Sequence, residues 1–378
     1  EIGSGLVGSE MCIRDRPWPR DTQVKHMKKK VELPVSEPVY STYQYQGSMA
    51  GLLRCNPSLR NWYLNHALML RCNRKFLTGY TTPEVDVVNS SWKNAPEVTE
   101  KRYSSEHLDG HIHYAVRSLL NDGYYVYYTG LDDFYIPGKS WYHEQHFYHD
   151  GLICGYDQTE KTYSLYAYDS NWLYRVFQTP QSAFNRARAK SAENGCFYVI
   201  CGMKPSRTEN VVEPECIYKN LLEYLDASPE KYPVTEEGNV FGLAVHNYIA
   251  MYVGKLFDGS IPYERMDRRV FRMLWEHKRV MLERLTAAEH ALGLRPAVST
   301  KYSEIVREAN AMRMLYASHH MRRRDCALPG LQNKLLWMRE TEEIWLREFT
   351  EEMKGAMKSE AVESHQAGVA AESVADAM

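Results

Sequence analysis

The chain has 378 residues, 44% of them hydrophobic and 25% charged, so it is able to bury a full core and to divide into two domains. A formal net charge of −2 and a pI near 6.8 supply no global field that would draw it to nucleic acid or to a membrane surface. The sequence lacks an uninterrupted apolar run of about 18 residues, which argues against a transmembrane helix; its eight cysteines lack paired spacing and suit a reducing, cytoplasmic setting better than a disulfide framework.

Taken in chain order, residues 1–26 read as a non-native leader. Gly5 to Arg16 resembles the conceptual translation of a ligated sequencing adapter, and Met27-Lys-Lys-Lys-Val-Glu-Leu-Pro34 reads as an authentic start. A first domain is expected over 38–210. It opens with two short helical patterns, 48–54 and 58–71, separated by the break that Asn56-Pro57 favours. A helix over 105–121 follows, with Leu108, Ile112, Val116 and Leu119 on one face and Gly123 beyond its end. Strands are predicted at 124–129, 149–156, 163–169, 173–178 and 197–203, with a helix at 181–192. Most of the connections are too short for parallel crossovers, so the sheet is expected to be largely antiparallel and the fold class α+β. From 214 to 353 the apolar residues recur every three or four positions, as in Val270, Leu274, His277, Met281 and Leu285, which predicts an all-α helical domain. Residues 354–378, rich in Ala, Glu and Ser, read as a disordered tail.

The segment with most chemistry is the hairpin from His146 to Asp169. If Asp157 pairs with Thr162, counting back along both strands places His149 opposite Asp169, Ser170 or Asn171, within hydrogen-bond reach across the strands. A histidine oriented by an acid is the base half of a nucleophile–His–acid site. Two further histidine groupings, His143, His146 and His149, and His107, His111 and His113, raise a zinc site as an alternative. Three-residue spacing on a strand scatters the rings over both faces, so a metal is not expected. His277 lies on an apolar seam and reads as a core histidine. The 28 tyrosines suit either a recognition surface or strands with a half-buried face.

The order of a helical N-terminal region, the strand Gly123-Tyr-Tyr-Val-Tyr127, the strand His149-Asp-Gly-Leu-Ile-Cys-Gly-Tyr-Asp157, the strand ending at Asp169 and a trailing helical region resembles the butirosin-biosynthesis protein H N-terminal family, over roughly residues 40–290. The segment Arg268-Arg-Val-Phe-Arg-Met-Leu-Trp-Glu-His-Lys278 is similar to helical extensions of members associated with peptide-synthetase clusters. The resemblance implies a papain-like domain from antibiotic or peptide biosynthesis, in which a Cys at a helix start faces a His–Asp pair. It implies no bound cofactor. An acyl group arrives on the phosphopantetheine thioester of a carrier protein and passes through an acyl-Cys to a small-molecule amine, so the implied partners are that carrier or a peptide synthetase. His149 matches the family's base and Asp169 its acid. Where the family places the Cys, this chain has Tyr43-Gln-Tyr-Gln-Gly-Ser48. Three readings follow. Cys55 serves as nucleophile just ahead of a helix capped by Asn56 or Ser58; Ser48 supplies a hydroxyl; or the chain is an inactive relative that binds a synthetase or carrier protein.

Overall fold

Tyrosine crowds the stretch from 98 to 205, and its side chain packs well on a pleated, half-buried surface. The computed structural model describes residues 27–79, 82–88, 95, 98–104, 108, 110–195, 199–205, 211–228, 230–232, 238–322 and 328–375. Along the chain its strands are β1 (Lys30–Glu32), β2 (Leu70–Asn73), β3 (Asp86–Val87), β4 (Val98–Ser104), β5 (Tyr125–Asp132), β6 (Tyr148–Asp157), β7 (Thr162–Tyr168), β8 (Tyr174–Pro180), β9 (Val199–Pro205) and β10 (Asn239–Phe241). The fold is mixed α+β, with a large antiparallel sheet and a helical C-terminal region.

The chain forms two compact units. The first comprises residues 1–59 and 96–208, and holds a seven-stranded sheet in the order β4-β9-β5-β6-β7-β8, with β1 also beside β6. One face packs against helices Ile112–Asn121 and Gln181–Glu193: Val116, Leu119, Phe184 and Ala187 cluster with Val126, Tyr128, Leu131, Ile153 and Leu165. The other face carries helix α1 (Gln44–Leu53), whose Gly47 and Gly51 press on the rings of Tyr174 and Tyr166. These tyrosines come from alternate positions of β7 and β8 and point away from Leu165, as a two-residue repeat requires.

The second unit comprises residues 60–95 and 209–378. Residues 60–95 therefore leave the domain expected to run unbroken over 38–210. Two features hold them there. Strand β2 pairs with β10 and β3 in a separate small sheet, and the buried Arg284 donates to the Leu64 and Ala67 carbonyls at 2.6 and 2.7 Å. Those carbonyls close helix α2 (Pro57–His66), where a cation suits the negative end of the helix dipole. His277 is fully buried and bonds through Nε2 to the Leu68 carbonyl at 2.8 Å, as a core histidine.

Among the helices of this unit, Val245–Phe257, Arg269–Ala291, Val298–Arg322 and Leu328–Ala375 enclose a buried polar knot. Lys278 Nζ lies 2.8 and 2.6 Å from the two Glu342 oxygens and 2.9 Å from the Tyr224 hydroxyl, and Tyr302 donates to the same carboxylate. Burial works against the Glu342 charge, yet Lys278 beside it and the hydrogen bonds from Lys278 and Tyr302 carry its carboxyl below the usual range. The last helix runs on to Ala375, through a segment read from composition as a disordered tail; alanine and glutamate are strong helix formers, and that segment is rich in both. Residues 1–26 lie outside the described residues. No described helix is long and apolar enough to cross a membrane.

Candidate functional site

The site grows from the open end of the β5–β6 pair. Between Tyr128 and Leu131 the ladder slips by a bulge, and Gly130 takes a φ of +65° there that side chains rarely adopt. Asp150 fastens the bulge: its carboxylate accepts from the Gly130 amide at 3.1 Å and from the Tyr127 hydroxyl at 2.7 Å. The slip sets the direction in which the end of β5 leaves the sheet. Its last residue, Asp132, caps the 3-10 turn Asp133–Tyr135 by accepting from the Phe134 amide at 3.2 Å.

Two acids and two histidines then meet in pairs just beyond the ladder. His146 Nδ1 lies 2.7 Å from Asp132 Oδ2, and His149 Nδ1 lies 2.5 Å from Asp133 Oδ2. A carboxylate only accepts, so each Nδ1 carries the proton, and the lone pair of each neutral ring is on Nε2. The His149 side chain is 24% exposed while Asp133 is 3% exposed, so the ring is anchored on a buried acid and reaches solvent. The other oxygen of Asp133 faces Lys139 Nζ at 3.4 Å. Burial pulls the Lys139 ammonium below the ordinary lysine range, against the opposite pull of Asp133 and Asp169.

A small pocket opens at this point, lined by Asp133, Lys139, Ser140, Trp141, His149, Tyr168, Asp169 and Trp172. Its walls are aromatic. Trp141 and Trp172 meet edge to face with ring centres 6.2 Å apart, and Phe147 stands 4.2 Å from the His149 ring. The Ser140 hydroxyl donates to the Asp169 carbonyl at 3.3 Å, and the Ser170 amide donates to the Gly138 carbonyl at 2.6 Å, so the two loops that form the pocket are stitched together.

His149 and Asp169 thus line one pocket, yet they do not pair through a hydrogen bond. Asp157 does face Thr162, and past a bulge between Ile153 and Gly155 the pairs Ile153–Leu165 and Leu152–Tyr166 lead towards His149 opposite Asp169, while on its β5 side His149 is registered with Leu131. The Asp169 carboxylate is turned into its own loop, where it accepts from the Asn171 and Leu173 amides at 2.8 and 2.9 Å and pairs with Arg175. Burial would raise its pKa; the Leu173 and Asn171 amides and Arg175 hold it below the usual carboxylate range. The acid that fixes the His149 ring is Asp133.

The structure does not bring Cys55 to His149. Cys55 follows the C-terminal end of α1 and is exposed, just before Asn56, whose side chain accepts from the Leu59 amide at 2.9 Å and caps α2. The N-terminal end of α1 is the one beside the His149 end of β6, where Gln44 donates to the Asp150 carbonyl. Ten helical residues separate the two ends by about 15 Å. Strand alternation adds to the separation. Leu131, the ladder partner of His149, packs on the face opposite α1, and it is Asp150 that faces the helix side with Tyr127. Ser48 is fully buried in α1, 3.0 Å from the Tyr174 hydroxyl.

Sequence reasoning passed over Asp133, Lys139 and Trp141. The signal available was the Asp132-Asp133 pair at the end of an aromatic strand, followed by His146 and His149 at the start of the next. Among the described residues no group of three His, Cys, Asp or Glu side chains is placed to hold a metal ion; His107 lies outside them. His113 bonds instead to the Tyr163 hydroxyl at 2.6 Å, and burial, with Arg188 and Arg117 nearby, lowers its pKa. No protein-family model matches the chain, and no curated protein matches it.

Proposed function

We propose that the protein serves natural-product biosynthesis as a papain-like acyl- or aminoacyl-transfer protein in which His149, held by Asp133, acts as general base without an acyl-cysteine. The observation that carries this reading is the 2.5 Å contact between His149 Nδ1 and the buried Asp133, which leaves Nε2 free to take a proton in an aromatic pocket. In the proposed step the acceptor amine attacks the carbonyl carbon of a carrier-bound phosphopantetheine thioester as Nε2 takes its proton. The carbon–sulfur bond then breaks, and the proton passes to the departing thiolate. The amide and the free carrier thiol are the products. The test is aminolysis of an S-acyl-N-acetylcysteamine by a small primary amine. His149→Ala is expected to lower the rate about 10²- to 10⁴-fold, the span of a general base, while Cys55→Ser leaves it unchanged. Loss of the rate in Cys55→Ser overturns the reading.

A second reading is favoured by one observation. Asp133 is the hydrogen-bond partner of His149 among the described residues, so no side-chain nucleophile is engaged with it. On this reading the fold is a non-catalytic module whose exposed Tyr142, Phe147, Trp172 and Leu173 grip a synthetase or carrier protein. Absence of aminolysis together with saturable binding of a carrier protein, lost in Trp172→Ala, selects it.

A further inference from the structure

Among the described residues, two buried donors of the pocket are left with donor capacity to spare. Lys139 Nζ is buried, with its side chain 2% exposed. It is ion-paired with Asp133 Oδ1 at 3.4 Å, a contact too poorly aligned to count as a full hydrogen bond, and its other N–H groups have no acceptor among the described residues. Trp141 Nε1 is equally shielded and equally without an acceptor. Both residues line the same pocket as His149. A buried donor left unpaired costs the desolvation of the group, and an acceptor entering the pocket relieves that cost. Lys139 keeps N–H groups whether charged or neutral, so its role as donor does not depend on its titration. The turn that presents both residues is held firmly. The Lys139 amide donates to the Ile136 carbonyl at 3.2 Å, and the Gly138 carbonyl is fixed by Ser170.

We infer that Lys139 Nζ and Trp141 Nε1 form a binding site for the carbonyl oxygen of a thioester or ester ligand, placed beside the His149 base. Asp133 and Asp169 also line the pocket, and two carboxylates disfavour a ligand that arrives already anionic. A neutral carbonyl meets no such repulsion, and the negative charge its oxygen gains under attack falls where the two donors stand. Asp133 then has a double part, orienting His149 through one oxygen and facing Lys139 through the other. The aromatic edges of Trp141 and Trp172 supply an apolar wall for the acyl chain. This inference rests on the acyl-transfer reading for its ligand class but is read out separately from turnover.

The probe is S-phenylacetyl-N-acetylcysteamine carrying ¹³C at the thioester carbonyl, added to the full chain, with Kd from titration and the carbonyl ¹³C shift of the bound form from NMR. Two donors on the oxygen are expected to move the bound carbonyl resonance downfield. Trp141→Phe, which keeps the Lys139–Asp133 pair intact, is expected to weaken binding about fivefold and to remove part of the shift, as is Lys139→Met. His149→Ala is expected to retain both the affinity and the shift while losing turnover. An unchanged Kd and shift in Trp141→Phe and Lys139→Met, or no saturable binding to the wild-type chain, overturns the inference. A retained shift in a chain whose turnover does not depend on His149 leaves the carbonyl site standing and overturns the general-base reading instead.

Discussion

The division of labour between Asp133 and Asp169 is settled by the atoms each can reach. Asp133 sits one residue past the end of β5, where the Gly130 bulge turns the backbone towards the β6 entrance, and its Oδ2 is spent on His149. Asp169 ends the β7 side of the loop, and its Oδ1 accepts two amides across the Ser170–Trp172 turn. Asp169 is therefore a loop residue that shapes the pocket from behind. Asp169→Ala strips the acceptor from both amides and is expected to cost about 1–3 kcal/mol of stability, read from urea unfolding. Its effect on a reaction at His149 should appear mainly in KM.

At the scale of elements, the hairpin, the helix near 181 and the antiparallel sheet were legible because each is written in a local period. Alternation of Tyr, Leu and Ile marks β6 and β7, and the Asp157-Gln-Thr-Glu-Lys161 break marks their turn. The slips were not legible. Neither bulge, at Tyr128–Leu131 nor at Ile153–Gly155, has a period of its own, and each moves the partner of every residue beyond it. Continued from Ile153–Leu165, the β6–β7 register still carries His149 towards Asp169; what no period announces is that the Asp169 carboxylate turns to the Asn171 and Leu173 amides and that Asp133 comes to the ring instead. The strands β1, β2, β3 and β10 were also missed, since two to four residues carry too little pattern to stand out, and so was β4, whose Val98-Thr-Glu-Lys-Arg-Tyr-Ser104 has too few apolar residues to mark a period. Helix α1 shows the opposite conflict, with glycine where helix propensity disfavours it. A Cβ at Gly51 would fall on the Tyr166 hydroxyl, which itself donates to the Ser36 carbonyl at 2.7 Å. Gly51→Ala is thus expected to destabilise by about 1–3 kcal/mol through overpacking, whereas propensity alone would make it stabilising. The sign of the change in thermal midpoint decides between them.

At the scale of the whole molecule, each unit carries its own polar interior. In the helical unit His246 is fully buried; burial, with Lys278 beside it, pulls its pKa to about 4. Its Nδ1 faces the Leu243 carbonyl at 2.9 Å, so the neutral ring donates there and Lys278 answers the Glu342 charge. Unfolded, the same imidazole titrates near 6.5. Between these values the unfolded chain binds a proton that the folded one does not, so stability present above about pH 6.5 is lost as the pH falls towards 4 and levels off below it. The loss from this one group is on the order of 3 kcal/mol. Hydrogen exchange in the helix Val245–Phe257 should accelerate over that interval, and His246→Gln should flatten the dependence. The strand pattern singled out His149, and the structure shows the carboxylate that holds its ring, Asp133.

Asp133 holds the His149 ring by Nδ1, and the ¹⁵N spectrum of that ring is the decisive measurement. At a pH where the imidazole is neutral, the wild-type chain and Asp169→Ala should show the Nδ1–H tautomer, with Nε2 bare. Asp133→Ala should shift the ring towards Nε2–H. A wild-type ring protonated on Nε2, or a tautomer that changes with Asp169 and not with Asp133, would contradict the account.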